Sequence, residues 1–594
     1  MSDPGGYTDQ QIEQLVREHL GRLLLRYVPV AAGALVIVLV VTTLPSVRPR
    51  SGDASFSSAA VHSRGAAKGE ESTPAGSEAS AATASDNPAS GPASGALPAA
   101  SSAVRRSGST PAANSTPSSG PPRAPTASTG TAASGVTCGP GVRQVSWSHY
   151  APMCKPVFHG NNGGATAPGV TDSTITLTFR TSGSSQSGAV GAALGSAALP
   201  SDDELVSDYQ AYIDLFNKQF ELYGRHVVLK VFRGQGDPVA ETEGQGLQGA
   251  QADAATARSV GAFGDASSPA GSETQPYAEA LAANHVISFG TQLLPQSWYE
   301  HYAPYAYEWQ PTGDTYAVFT ANEVCQRMAR MPAAFAGSQQ LQTKERVFGL
   351  LVPDLPDRAQ QGDMIEAGLG RCGVKLAKRV NYSWDLASMQ SEATSAMAQL
   401  AAAGVTTVIC ACDPIFPTFA TNAADQQQYY PEWDAMWWPD TLARNYAADQ
   451  WAHAITTSGT YPDATKTEAY RAFKLARPSS EPAEIYYSWI YRNLLTIFSA
   501  LHIAGANLTA TTFMQGYFAV PDSSPDADFG PWTFGDHAFS PAHHFQIGWW
   551  NPNAKSNFDG GAGAYQDCNG GQWYKFDDPG AFAPAHTQLG CFGK

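Results

Sequence analysis

Beyond residue 172, short runs of β-branched and other apolar residues alternate with longer stretches in which apolar positions recur every three or four residues. The short runs predict buried strands and the long stretches predict amphipathic helices. Residues 174–180 are the first expected strand, and Ser201 with Glu204 predicts the capped start of a helix that ends at Gly224. This alternation is typical of βαβ units in a parallel sheet.

The pattern occurs twice, which predicts an α/β chain with two lobes, each a doubly wound and mostly parallel sheet. We expect the first lobe at about 171–313 plus about 480–525, and the second at about 314–479 plus the C-terminal segment. Further strands are expected at 226–232, 260–264, 285–290, 346–352, 374–380, 406–410, 452–456 and 544–550. Further helices are expected at 247–257, 315–331, 358–370, 386–403 and 484–504.

Residues 27–47 contain no charged side chain and lie between Arg26 and Arg48. At about 1.5 Å per residue, a helix of this length spans roughly 30 Å, the thickness of a bilayer core. This predicts a transmembrane helix after a cytoplasmic segment at 1–26. A cleavable signal peptide and a buried core helix are the alternatives.

Residues 48–135 consist almost entirely of Ala, Ser, Gly, Pro and Thr. Such a segment cannot bury enough apolar surface to offset the entropy lost on ordering it. We therefore expect a disordered linker, followed by a folded extracytoplasmic domain at 136–594.

All eight cysteines lie beyond the predicted membrane helix, which favours an oxidising compartment outside the cytoplasm. The expected location is thus the cell membrane, with a single pass. Plausible disulfide partners are Cys138 with Cys154, Cys325 with Cys372, and Cys568 with Cys591. Cys410 and Cys412 share one face of a strand, where pairing with each other would be strained, so a redox or metal role is the alternative.

The net charge of −16 and the absence of a basic run in the folded part make nucleic acid an unexpected partner. The sequence lacks the G-x-S-x-G motif of serine hydrolases, the H-E-x-x-H motif of zinc proteases and the G-x-x-x-x-G-K-[ST] motif of phosphate-binding loops. We therefore expect no enzyme and no cofactor, with a secreted hydrolase as a minor alternative.

Several local patterns, taken in order, resemble the type I periplasmic solute-binding proteins, particularly those for leucine, isoleucine and valine. They are GVTDSTITLTF from Gly169, RVFGLLVPD from Arg346, AAGVTTVICACDP from Ala402, and HFQIGWWNP from His544. The resemblance covers roughly 168–553. It implies two hinged lobes that close on a small solute and deliver it to the permease subunits of an ABC importer.

The resemblance also implies a ligand site in the loops that follow the strands of both lobes. Ser267, Ser268 and Thr291 of the first lobe would suit a carboxylate, and Asp354 and Asp413 of the second would suit an ammonium group. For the two aspartates, capping of the following helix is the alternative. A ligand sensor or a cell-surface scaffold with the same fold is the alternative function.

Two further groups of side chains have an ordinary explanation beside a functional one. An aromatic stretch at 426–440 could form a cage for a cationic or sugar-like ligand, or could be packing. Its rings are Tyr429, Tyr430, Trp433, Trp437 and Trp438. Asp536, His537, His543 and His544 include metal-binding groups, but their spacing matches no familiar site.

Overall fold

The structure, a computed structural model, describes residues 129–181, 200–268, 273–290, 293–436, 438–457, 462–483, 486–527 and 529–593. The predicted membrane helix at 27–47 and most of the predicted linker lie outside these residues. Within the described ranges, no helix is long and apolar enough to cross a bilayer.

The first lobe is preceded by a small hairpin of β1 (Gly130–Thr131) and β2 (Thr137–Cys138). The elements of the lobe then alternate along the chain as predicted. They are β3 (Thr174–Thr181), α1 (Asp202–Gln219), β4 (His226–Arg233), α2 (Pro238–Thr242), α3 (Leu247–Ser259), β5 (Gly264–Asp265), α4 (Gln275–Ala283), β6 (Ile287–Phe289), α5 (Gln296–Tyr302) and β7 (Ala306–Tyr307). Their five-stranded parallel sheet has the order β4-β3-β5-β6-β7.

Helix α1 begins at the predicted capping box, in which Ser201 and Glu204 each satisfy a backbone N–H of the other. It ends at Gln219 rather than at Gly224, because Phe220 leaves the helix to pack in the core. The strand predicted at 260–264 is also shorter. Val260 and Gly261 complete the end of α3, so pairing begins only at Gly264.

The second lobe repeats the alternation around a seven-stranded sheet, two strands of which come from the C-terminal segment. Its first elements are α6 (Gly313–Glu323), which continues as a π-helix (Val324–Met328), then α7 (Gln339–Gln342), β8 (Phe348–Pro353), α8 (Pro356–Arg371), β9 (Lys378–Tyr382), α9 (Met389–Ala402), β10 (Thr407–Cys410), α10 (Phe416–Gln426), β11 (Glu432–Met436), α11 (Asp440–Ala443), α12 (Ala448–Trp451) and β12 (Ala454–Thr457). Strands β9, β8, β10, β11 and β12 are parallel.

The chain returns to the first lobe with α13 (Glu468–Ala476), α14 (Tyr486–Ala504) and α15 (Ala510–Phe518). Phe473 of α13 packs in the first-lobe core against Tyr212, and so does Tyr491 of α14. Residues from at least 468 on therefore belong with the first lobe, earlier than the expected return at about 480. The apolar side chains of α13 decide this, since they are buried against α1.

The C-terminal segment adds β13 (His544–Phe545), β14 (Ile547–Lys555), β15 (Ala562–Asp567) and β16 (Tyr574–Lys575). The single strand predicted at 544–550 is interrupted at Gln546. Strand β13 pairs with β16, whereas β14 pairs antiparallel with β12 and extends the second-lobe sheet.

Four disulfides involve all eight cysteines, and three of them are the pairs suggested from sequence: Cys138–Cys154, Cys325–Cys372 and Cys568–Cys591. Cys410 and Cys412 also pair, with each other. This pairing is possible because β10 ends at Cys410, so Cys412 is not held in strand geometry.

Two buried carboxyl groups face each other where α6 packs on the second-lobe sheet. Glu323 and Asp434 are at most 2 % exposed. Burial raises the pKa of both carboxyl groups, to about 7 for Asp434. Repulsion by Asp434 raises the pKa of Glu323 further. Neither oxygen of Glu323 has a hydrogen-bond partner among the described residues. This pair accordingly favours bound protons.

We predict that the free energy of unfolding falls as the pH rises from about 4 through 7. A carboxyl group with a raised pKa in the folded chain contributes full stability below its unfolded pKa and loses it as the pH rises through the folded pKa. Glu323→Gln should flatten this decline and stabilise the chain at pH 8, as measured by urea unfolding at several pH values. The control is Glu366→Gln, whose side chain is 53 % exposed. An unchanged pH profile for Glu323→Gln would contradict the assignment.

Candidate ligand-binding cleft

Each lobe has a point where the strand order reverses. In the first lobe this point lies between β3 and β5, and in the second it lies between β8 and β10. In doubly wound sheets, ligands bind at the carboxyl ends of the strands beside such a point. The described residues that follow β5, β8 and β10 therefore define the candidate site, and they include four of the five residues implied by the family resemblance.

Ser267 and Ser268 follow β5 and are at most 1 % exposed. The Ser267 hydroxyl accepts a hydrogen bond from the Arg180 N–H at 2.8 Å, so it fixes the end of β3. The Ser268 Oγ accepts one from the Trp309 indole at 3.3 Å. Gly290, with φ +112°, lies against the Ser268 hydroxyl and the Trp309 indole. A Cβ at this position would lie 2.6 Å from the Ser268 Oγ. Glycine is thus required at this position.

Aromatic side chains line the wall beside Ser268. The Trp309 and Trp489 ring centroids are 6.0 Å apart, and Tyr486 lies edge-on to Trp489 at 5.3 Å. Trp489 and Tyr486 are half-buried. This wall was not predicted, although a helix was expected at 484–504. It can pack against an apolar part of a ligand.

Arg180, at the end of β3, is buried in an ion network. Its guanidinium binds Glu241 at 2.9 and 3.0 Å and Asp253 at 3.2 Å, and it lies 3.8 Å from the Tyr277 ring centroid. Burial alone would lower its pKa, but the hydrogen bonds and charges of Glu241 outweigh burial and raise it. The positive charge of Arg180 is therefore neutralised within the lobe.

The first lobe has further buried carboxyl groups at this edge of the sheet. Glu273 accepts a hydrogen bond from the Ser288 hydroxyl, and its other oxygen is buried with no partner in the part of the chain that the structure describes. Burial, with the neighbouring Asp265, raises the pKa of Glu273 well above its usual range. Glu308 accepts from the Tyr299 hydroxyl at 2.8 Å. The first-lobe wall is therefore rich in acidic groups.

Asp413 follows β10 in the second lobe and is 9 % exposed. Its carboxylate accepts hydrogen bonds from the Tyr382 hydroxyl at 2.6 Å and from the N–H groups of Ile415 and Phe416 at 2.8 and 3.0 Å. The Tyr382 and Phe416 rings stack with centroids 3.6 Å apart. Asp413 thus orders the start of α10, which is the alternative role considered from the sequence.

Arg358 is a second-lobe residue that sequence reasoning did not identify. It is the third residue of α8, directly after β8, and its side chain is half-buried. Burial lowers the pKa of Arg358, while Tyr382 and Asp413 of the second lobe and Tyr299 of the first act in the opposite direction. Groups of both lobes therefore act on the charge of the guanidinium, as does Asp357 beside it in the chain.

The two lobes also meet beside Arg358. Burial raises the pKa of Asp357, a hydrogen bond from Gln275 of the first lobe lowers it, and Glu279 of the same lobe raises it again. Gln275 and Glu279 belong to α4, which follows β5, and Asp357 belongs to α8, which follows β8. Loops at the carboxyl ends of both sheets thus face each other across a cleft.

The remaining candidates have other surroundings. Thr291 and Trp437 lie outside the described residues. Asp354 is exposed at the end of β8, and its N–H donates to the Tyr382 carbonyl.

The aromatic stretch is not a loop, because Trp433 lies in strand β11 and is fully buried. Its ring packs 6.1 Å from that of Trp451, and Tyr429 donates to the Val405 carbonyl. Packing in the core therefore explains the positions of the Trp433 and Tyr429 side chains. In the described part of the chain, no group of three or more His, Cys, Asp or Glu residues could hold a metal ion.

No protein-family model and no curated protein matches the sequence. Three solved structures illustrate what the fold is similar to, each with a TM-score of 0.47. The fatty acid ABC transporter substrate-binding protein from Thermomonospora curvata is 14 % identical and covers 72 % of this chain and 98 % of its own. The leucine-, isoleucine-, valine-, threonine- and alanine-binding protein from Brucella ovis is 14 % identical, and the match covers 70 % of this chain and 98 % of that protein. A solute-binding protein from Rhodopseudomonas palustris BisB5, in complex with 3,4-dihydroxybenzoic acid, is 10 % identical, and the match covers 68 % of this chain and 98 % of that protein.

We predict that the Cys410–Cys412 bridge contributes less to stability than the Cys138–Cys154 bridge. The sequence separations are 2 and 16, for which loop entropy gives about 1.2 and about 3.1 kcal/mol. Cys410→Ala with Cys412→Ala should therefore lower the free energy of unfolding by less than Cys138→Ala with Cys154→Ala in urea titrations. A larger loss on removing the Cys410–Cys412 bridge would contradict this prediction. It would show that this bridge contributes stability beyond its effect on the entropy of the unfolded chain.

Proposed function

We propose that the chain binds a small solute between its two lobes outside the cytoplasm and delivers it to the permease subunits of an ABC importer. The observation that carries the proposal is the meeting of two strand-order reversal points across one cleft. Loops at such points bind ligands in doubly wound sheets. A solute that contacts loops of both lobes would favour a closed arrangement over an open one.

The connections between the lobes support closure about a hinge. The chain crosses from β7 to α6, returns from β12 to α13, and crosses again from α15 to β13. A few residues in such connections can absorb the rotation of two otherwise rigid lobes. Each lobe has its own sheet and its own core, so the lobes can rotate without unfolding.

The predicted membrane helix at 27–47 would hold the domain near a permease. With random-coil scaling, a linker of about 85 residues has a reach of roughly 50 Å. The domain could then bind solute and approach a membrane partner while tethered. Importer delivery and membrane anchoring are both parts of the proposal.

We predict that a broad screen of amino acids, organic acids, amides, polyamines and sugars against the full-length chain will find a stabilising solute. At about 100 times its dissociation constant, such a solute should add about 2.7 kcal/mol to the free energy of unfolding. X-ray scattering should show a smaller radius of gyration with the solute bound.

The matched variants for this screen are Ser268→Ala at the cleft and Ser259→Ala at the exposed end of α3. Loss of one hydrogen bond worth roughly 1 kcal/mol should weaken binding about fivefold for Ser268→Ala only. A folded chain that no solute stabilises would argue against a binding protein and favour a scaffold.

A further inference from the structure

The Cys410–Cys412 disulfide lies at the carboxyl edge of the second-lobe sheet. Cys410 is the last residue of β10, the strand beside the point where the strand order of this lobe reverses. Cys412 is followed directly by Asp413 of the candidate cleft. The other three bridges lie in the segment before β3, between the π-helix and the end of α8, and in the C-terminal segment. Of the four bridges, this one therefore belongs to a candidate ligand loop.

The bridge holds the chain out of strand geometry at Ala411. Its two Cα atoms are 5.0 Å apart. Residues two apart in a parallel strand are separated by about 6.6 Å, because each residue adds about 3.3 Å. The Ala411 N–H still donates to the Leu351 carbonyl of β8 at 3.0 Å. Opening the bridge would therefore allow β10 to extend past Cys410 and to lengthen this step by about 1.6 Å.

The residues just after the bridge depend on its position. The Asp413 N–H donates to the Tyr382 hydroxyl at 3.1 Å, and that hydroxyl donates to the Asp413 carboxylate at 2.6 Å. The same carboxylate accepts from the N–H groups of Ile415 and Phe416 at 2.8 and 3.0 Å. A shift of about 1.6 Å just before Asp413 would break bonds of this kind, since N–H···O bonds extend only to about 3.2 Å. The bridge thus fixes the start of α10.

The second-lobe core encloses both sulfur atoms. Cys410 and Cys412 are 1 and 3 % exposed, and they share a core cluster with Ile415 and Phe416. A reduced cysteine packs as a small apolar side chain, so this core can hold two thiols as well as a disulfide. Burial also means that a reductant reaches the sulfur atoms only when the loop opens locally. The two redox states therefore differ in the conformation of the loop rather than in the fold.

The small size of the ring makes this bridge the easiest of the four to reduce. A disulfide stabilises a folded chain mainly through the loop entropy that it removes from the unfolded chain. By the same thermodynamic cycle, folding favours a disulfide by the amount that the disulfide stabilises the fold. The sequence separation here is 2, whereas the other bridges have separations of 16, 47 and 23. Folding therefore protects Cys410–Cys412 least against reduction.

We propose that Cys410–Cys412 is a reversible thiol–disulfide site that exchanges with a dithiol and whose redox state sets the second-lobe wall of the cleft. One thiolate of the dithiol attacks a sulfur of the bridge and displaces the other cysteine as a thiolate, which takes up a proton. The second thiol of the partner then attacks the mixed disulfide. The chain gains two thiols, with two electrons and two protons, and the partner leaves as a disulfide.

Reduction acts on the cleft through the loop alone. The Tyr382–Asp413 contact and the start of α10 lose their fixed position, so the second lobe presents a less ordered wall. An oxidised dithiol reverses the exchange and restores the wall. This control does not depend on which solute binds in the cleft.

The first test is a redox titration of the full-length chain in mixtures of reduced and oxidised dithiothreitol, followed by alkylation and peptide mass spectrometry. Residues 380–444 form a tryptic peptide whose only cysteines are Cys410 and Cys412, so their bridge can be followed separately. It should be half-reduced at a ratio of reduced to oxidised dithiothreitol at least tenfold lower than any other bridge, and it should form again in oxidised dithiothreitol. A difference of less than tenfold, or a bridge that does not form again, would overturn the proposal.

The second test measures amide hydrogen exchange at Ile415 and Phe416 in the oxidised and the selectively reduced wild type. Exchange at both amides should be at least tenfold faster after reduction, because their acceptor Asp413 shifts. The amides of β3 in the first lobe should exchange at an unchanged rate. Equal exchange of Ile415 and Phe416 in the two redox states would show that the bridge does not fix the wall, and would also overturn the proposal.

Two double variants complete the comparison. Cys410→Ala with Cys412→Ala should show the fast exchange of the reduced wild type and no response to dithiothreitol. The control, Cys138→Ala with Cys154→Ala, removes a bridge of the segment before β3 and should keep both the slow exchange and the response. Neither test uses a solute, so their outcomes are independent of the outcome of the solute screen.

Discussion

The buried ion network of Arg180 is the interaction on which the first-lobe wall depends. Its guanidinium binds Glu241 and Asp253, and Asp253 in turn accepts hydrogen bonds from the N–H groups of Gln235 and Gly236 after β4. The Arg180 N–H also reaches Ser267 after β5. One network thus connects the end of β3 with the loops that follow β4 and β5. Removing a single partner from such a network leaves an uncompensated buried charge, which costs roughly 3–5 kcal/mol.

The segment between β2 and β3 extends this rigidity towards the connections between the lobes. Val145 and Tyr150 are buried in the first-lobe core, and the Ser148 hydroxyl donates to Glu468 at the start of α13. The Tyr150 hydroxyl donates to the Phe529 carbonyl on the third connection. The segment that leads from the predicted linker is therefore packed on the first lobe. On a tethered chain, closure would then move the second lobe relative to the tether.

Much of the fold follows from local patterns in the sequence. The cap formed by Ser201 and Glu204 and the strand at Thr174–Thr181 were predictable, because each depends on a few neighbouring residues. Packing was one of the two explanations offered for the aromatic stretch, but the strand at Trp433 was not predicted, since a fully buried strand has no alternation to distinguish it from a loop. The Cys410–Cys412 pair depended on where β10 ends, and strand ends are set by tertiary contacts.

The candidate site was less predictable than the fold. Arg358 stands in the first turn of an amphipathic helix, where an arginine is usually a solvated surface residue. Part of its electrostatic environment comes from Tyr299 of the other lobe, which is distant in sequence. Asp413 was identified from its position after a strand, but its hydrogen bonds show that it supports Tyr382 and α10. Position along the chain therefore located the cleft without assigning the roles of its charges.

The charges that face each other across the lobes also limit closure. Glu279 of the first lobe raises the pKa of Asp357 in the second, and Asp385 of the second raises that of Glu243 in the first, each in addition to burial. Both are like-charge pairs, so approach of the lobes is opposed at two places. A ligand shifts such an equilibrium only by its differential affinity for the closed state. A solute that contacts loops of both lobes would supply that difference, because only the closed arrangement offers both sets of contacts at once.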